Sequence, residues 1–308
     1  MDLSGHKIIF IHGLATKPPK RDLFRFWKRC LVENIRCSES KFAEILESEP
    51  QLFEMAYWAN EIPNHIEDNP EELEKPIETV IRLRKEKGDQ FHVSNVKDKF
   101  FDFWLDKGLD TVDMIANILS VKDDVVKQRL VEMNLYSDDQ FTAEKIRKSL
   151  EIPLQKALND GKNIAIIAHS MGSFVAYDVL WRFSHHRSFK SFHDKKINLF
   201  VTIGSPLGDP IIQDLMLGKR YGYKKSNGLP TNISNWVNFA ALGDIVCHDQ
   251  TLVDDFQSMK KMNLLQDFRD YRGLFNPYRN RRGKINTHKS YGYLLQPKLA
   301  KIILKFLG

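Results

Sequence analysis

Short apolar runs alternate along this chain with longer stretches whose apolar residues recur at helical spacing. Ile8 to Ile11 is an uninterrupted apolar run within K-I-I-F-I-H-G-L, Lys7 to Leu14. Strands in a parallel sheet are covered on both faces and so read as continuous apolar runs rather than alternating ones. Similar runs predict strands at Phe53 to Ala59, Asn163 to Ala168, Ile197 to Ile203 and Trp236 to Leu242. After the first strand, Leu23, Phe26, Trp27, Cys30, Leu31 and Ile35 share one face and predict a helix over Asp22 to Ile35. Another helix is expected from Met171 to about Phe183. Strands alternating with helices predict an α/β fold on a mostly parallel sheet flanked by helices.

The second and third strands are separated by far more chain than a crossover helix needs. About a hundred residues lie between Glu61 and Gly161, most of them charged and helix-favouring. Residues 61–140 therefore read as a helical insertion in a single domain spanning 1–308, with a helix near Ala143 to Leu158 returning to the sheet. Phe101, Trp104, Leu105, Leu109, Val112, Ile115 and Leu119 recur within it at helical intervals. Ordinary core packing accounts for such a stripe. The functional alternative is a cap whose inner face, with Trp104, receives an apolar substrate.

Composition narrows the picture only a little. Hydrophobic residues make up 42% of 308, charged residues 28%, and the net charge is +6, which fits a globular enzyme and does not call for nucleic acid. The densest basic stretch, Arg279 to Lys284, reads as a solvated loop, or else as a seat for phosphate or another anion. Three scattered cysteines, Cys30, Cys37 and Cys247, make neither a disulfide framework nor a zinc site. With no signal-like or membrane-spanning run at the start, a cytoplasmic setting is the expectation.

The sharpest chemical signal is I-A-I-I-A-H-S-M-G-S, Ile164 to Ser173, in which an apolar strand runs straight into S-x-G and a helix. That is the pattern of a nucleophile elbow, a tight turn projecting a serine hydroxyl above a sheet. Ala168 stands where glycine is commoner. An acyl-transfer serine also needs two N–H donors for the developing oxyanion; Met171 and Leu14, the latter just after His12-Gly13, are the candidates. His12 itself reads as a structural hydrogen-bonding residue.

Serine needs a base and an orienting acid, which follow it in the chain order Ser, Asp or Glu, His. Asp244, in the loop after the Trp236 strand, is the expected acid, with Asp209 one strand earlier as the alternative. His288, close to the C-terminus, is the expected base. His248 is too near Asp244 in sequence, and His185, His186 and His193 stand in the wrong order.

Together these motifs resemble the α/β-hydrolase superfamily. The H-G-L opening, A-H-S-M-G-S-F-V-A-Y-D-V-L, T-I-G-S-P-L-G and H-K-S-Y-G are similar to its short-N-terminus lipase and serine-esterase branch, including GPI-inositol-deacylase-like and intracellular phospholipase-like sequences. The resemblance implies hydrolysis of carboxylic esters, small or lipid-like, by Ser170, His288 and Asp244 through an acyl-enzyme, with no cofactor or metal. It leaves open acyl transfer or amide cleavage by the same residues, and a silent scaffold used for binding. Peripheral membrane contact through the insertion is compatible with the sequence, which says nothing of oligomeric state.

Overall fold

The computed structural model describes residues 2–92, 136–247 and 249–308. The first apolar run forms β1, His6–Ile11. It pairs in parallel with β2, Phe53–Ala56, on one side and with β3, Asn163–His169, on the other. Beyond β3 come β4, Ile197–Ile203, β5, Ile233–Ala241, and β6, Asp267–Leu274. The order is β2-β1-β3-β4-β5-β6, with every pairing parallel. The chain thus runs outward from β1 to β2, then crosses back to build the rest of the sheet. Where strand order reverses, between β1 and β3, the connections leave to opposite faces and open a crevice at the strands' carboxyl ends.

Alternation of side chains divides the core in two. Ile8, Phe10, Ala165 and Ile167 face the layer holding α1, Lys20–Arg36, α2, Ser40–Ser48, and α3, Pro70–Lys87. Ile9, Ile11, Ile164 and Ile166 face α4, Gln140–Asn159, and α5, Met171–His185. The C-terminal helices, α6, Ser290–Leu294, and α7, Pro297–Leu307, join the first layer.

Three local findings differ from the sequence reading. β2 stops at Ala56 rather than Ala59, because Trp58 turns to donate both its backbone and indole N–H groups to His12. β6 was not signalled at all. Most important, the expected insertion over residues 61–140 does not act as a cap throughout. α3 lies inside it, and Ile77, Val80 and Ile81 pack into the sheet core, while buried Arg84 donates to the Asn34 side chain at 2.8 Å. Its ends carry ordinary helix signals: Asn69 caps the Glu71 N–H, Pro70 begins the first turn, and Gly88 closes the last at φ +51°. Trp104 and the rest of the expected acyl-pocket stripe lie outside the described residues.

Candidate active site

Ser170 sits between the end of β3 and the first residue of α5, with φ 55° and ψ −134°. For a residue with a Cβ this is strained backbone, held because the surroundings determine it. The Ser170 N–H is tied to the Ile203 carbonyl at the end of β4, and its own carbonyl accepts from the Ser173 hydroxyl. Two glycines make room. A Cβ on Gly172 would stand 2.4 Å from the His12 carbonyl oxygen, and one on Gly13 would stand 2.5 Å from the Ser170 Cβ. Gly13 and Gly172 are therefore steric requirements of bringing the β1 end against the elbow.

His288 Nε2 lies 2.9 Å from Ser170 Oγ, and its Nδ1 lies 2.9 Å from both carboxylate oxygens of Asp244. With Asp244 as acceptor, Nδ1 carries the proton and Nε2 accepts from the serine hydroxyl. Burial by itself would raise the Asp244 pKa, but the His288 charge and the hydrogen bonds from His288 and Tyr293 hold the carboxyl well below the usual carboxylate range. It is therefore an anion at neutral pH. Asp209, the alternative acid, caps a short helix by accepting from the Ile211 N–H and plays no part in this cluster.

The loop carrying His288 is fixed from several directions. The amide of Asn276, fully buried, donates to the carbonyls of Thr287 and Lys289 on either side of it, at 2.7 and 2.9 Å. The Thr287 hydroxyl donates to the Gly243 carbonyl, beside Asp244. His169 Nε2 donates to the His288 carbonyl at 2.7 Å, and burial pushes the His169 pKa well down, keeping that ring neutral. Gly204, at φ +55°, leaves the carboxylate space, since a Cβ there would sit 2.9 Å from Asp244 Oδ2.

These supports were not read from the sequence. Asn276, His169 and Tyr293 act on residues far from them along the chain, and no local spacing marks them. His12 was read correctly as structural: its Nδ1 donates to the Gly13 carbonyl and its Nε2 accepts from Trp58, so neither nitrogen is left for base chemistry.

A strand, a strained serine elbow, a helix, and an acid and histidine from later loops now stand in one parallel sheet. The fold is that of the α/β-hydrolases. Residues 131–230 also match the family model of lecithin:cholesterol acyltransferase, a lipase-like family of this fold. That match covers about a third of the chain, including the elbow but neither Asp244 nor His288. No curated protein and no solved structure matches the chain.

The serine opens into a cleft of about 750 Å³. Leu14 and Met171 line it beside Ser170. Met171 begins α5, and the first N–H groups of a helix have no partner within the helix. Leu23, Trp27 and Ile212 give the cleft apolar wall, while Lys17, Arg281 and Arg282 give it cations. From α3, only the start of the helix and its cap reach it, through Asn69, Glu72 and Leu73. Part of the basic stretch therefore stands at the cleft rather than on a remote face.

Proposed function

We propose that this chain is a serine hydrolase that cleaves carboxylic esters with a lipid-like acyl group. The observation that carries the reading is the continuous relay from Asp244 through His288 to the Ser170 hydroxyl, each step at 2.9 Å. Such distances are the ones proton transfer requires. The match to the lecithin:cholesterol acyltransferase family model and the apolar wall of the cleft support a lipid ester over a small hydrophilic one.

In this mechanism Ser170 Oγ attacks the ester carbonyl carbon as its proton passes to His288 Nε2. Asp244 keeps the Nδ1 proton in place and stabilises the imidazolium. The carbonyl oxygen becomes an oxyanion that accepts from the backbone N–H groups of Met171 and Leu14. Collapse expels the alcohol, which takes the proton from Nε2, and leaves Ser170 acylated. Water, deprotonated by His288, then attacks the acyl-enzyme and releases the acid. No cofactor enters these steps. The setting proposed for this activity is cytoplasmic.

The family match favours one second reading, in which the acyl group passes to an alcohol instead of water. The test is a series of p-nitrophenyl esters from acetyl to dodecanoyl, with and without added long-chain alcohol. Hydrolysis rising with chain length supports the proposal. Ester product formed in preference to free acid favours acyl transfer, and no turnover of any ester contradicts both.

A further inference from the structure

We infer that the cleft selects esters bearing an oxyanion, a phosphate or carboxylate, on the part of the substrate that faces the Asn280–Lys284 turn. This inference rests on the ester-hydrolase reading and names the substrate class within it.

The argument begins with charge. Four cationic side chains line the cleft that holds Ser170, namely Lys17, Arg281, Arg282 and Lys289, against two carboxylates, Asp68 and Glu72. Both carboxylates are engaged. Asp68 accepts from the Thr16 hydroxyl at 2.6 Å, and Glu72 pairs with Arg281. Among the described residues no carboxylate lies within ion-pair distance of Arg282. The guanidinium suits the role, because its fixed fork of N–H donors matches an oxyanion in two-point fashion.

The turn presenting it is built in advance. Asn280 Oδ1 accepts from the backbone N–H groups of Arg282 and Lys284, each at 3.0 Å. The Asn280 N–H donates to the Lys284 carbonyl at 2.9 Å, and Gly283 closes the turn at φ +75°. Arg279 donates across the turn to the Gly283 carbonyl. An isolated antiparallel bridge between Arg279 and Ile285 anchors the base, three residues before His288. A preformed turn has less entropy to lose when it binds. Lys17 adds charge on the opposite chain segment, where its ammonium donates to the Leu14 and Ala15 carbonyls beside the expected oxyanion donor. Burial pushes the His12 pKa well down, and the Lys17 charge adds to that shift.

The cleft thus combines apolar wall for an acyl chain with a basic rim, and the same chemistry could be met by a charge on the substrate or by an anionic membrane surface. The inference commits to the substrate's own charge. The test compares 1-butyrylglycerol 3-phosphate with uncharged 1-butyrylglycerol, both as dissolved monomers, by kcat/KM at low and high salt. Labelling by a fluorophosphonate probe runs in parallel. The expected result is a preference for the phosphate of at least about tenfold, as charge-assisted hydrogen bonds allow, shrinking at high salt. Arg282→Ala and Arg282→Gln bring the ratio toward unity, whereas Lys260→Ala, an equal loss of charge on an exposed face away from the cleft, leaves it in place. Equal rates on the two monomers, with probe labelling intact, overturn the anion preference and leave the hydrolase reading standing. A preference seen only when the ester is carried in phosphatidylglycerol vesicles also overturns it, since the cations would then be meeting a surface. Absence of both labelling and turnover overturns the two together.

Discussion

The Tyr293 hydroxyl donates to Asp244 Oδ2 at 2.6 Å, so the carboxylate that orients His288 is held from behind by a buried phenol. The Tyr293 phenol oxygen in turn accepts from the Ala241 N–H at 2.9 Å, at the end of β5. Burial pushes the Tyr293 pKa well above its usual value, so it remains a donor. One side chain from α6 thereby fastens the acid to both its strand and the helix that follows His288.

Tyr293→Phe should cost about 2–3 kcal/mol, the worth of a hydrogen bond to a charged group together with an orphaned backbone N–H. The sign with pH follows from Asp244, whose folded pKa is depressed. Its stabilisation is present above the unfolded carboxylate pKa and is lost as pH falls through the folded one. Removing the phenol raises that folded pKa, so acid unfolding should begin at higher pH. Circular dichroism melts from pH 2 to 7 check this, and an unshifted acid transition would count against it.

Asp244→Asn should lower turnover by on the order of ten-thousand-fold with the fold retained, because the histidine loses its orienting anion. Asp209→Asn keeps a capping side chain and should leave turnover near wild type. Steady-state rates at neutral pH decide between them, and a dead Asp209→Asn beside an active Asp244→Asn would reverse the assignment.

Gly13→Ala should abolish ester turnover even if the protein folds. Its Cβ would fall 2.5 Å from the Ser170 Cβ, which only displacement of the elbow or of the β1 end can relieve. Overpacking of this kind costs about 1–3 kcal/mol in stability. Wild-type turnover in a folded Gly13→Ala protein would show that the two segments are not so closely apposed.

Away from the cleft, burial raises the Glu151 pKa to about 7, and this outweighs the attraction of Arg182, whose Nη1 is 3.0 Å away. Between the unfolded value and about 7 the folded state binds more protons, so this residue makes stability fall as pH rises. Glu151→Gln should flatten that decline by an amount on the order of 2 kcal/mol between pH 5 and pH 8. Chemical denaturation at the two pH values measures the slope directly, and an identical decline in the variant would contradict the assignment.

Much of this arrangement was legible in the sequence because the determinants are local. Continuous apolar runs marked five of the six strands, and S-x-G between an apolar run and a helix marked the elbow. Chain order then picked out Asp244 and His288. β6 escaped because it is an edge strand carrying Arg269, Asp270 and Arg272, so no apolar run announces it. α3 fell inside the expected insertion, and whether it packs on the sheet or caps the cleft could not be read, because spacing shows an apolar face but not what covers it. Residue spacing likewise could not show that Asn276 reaches the backbone around His288, because that contact exists only once the chain has folded.

The central claim is that Ser170 is the covalent nucleophile, and intact-protein mass spectrometry after fluorophosphonate treatment tests it most directly. The account predicts one adduct per chain, mapped to the peptide containing Ser170 and lost in both Ser170→Ala and His288→Ala. An adduct on another residue, or labelling of Ser170→Ala at the wild-type rate, would contradict it.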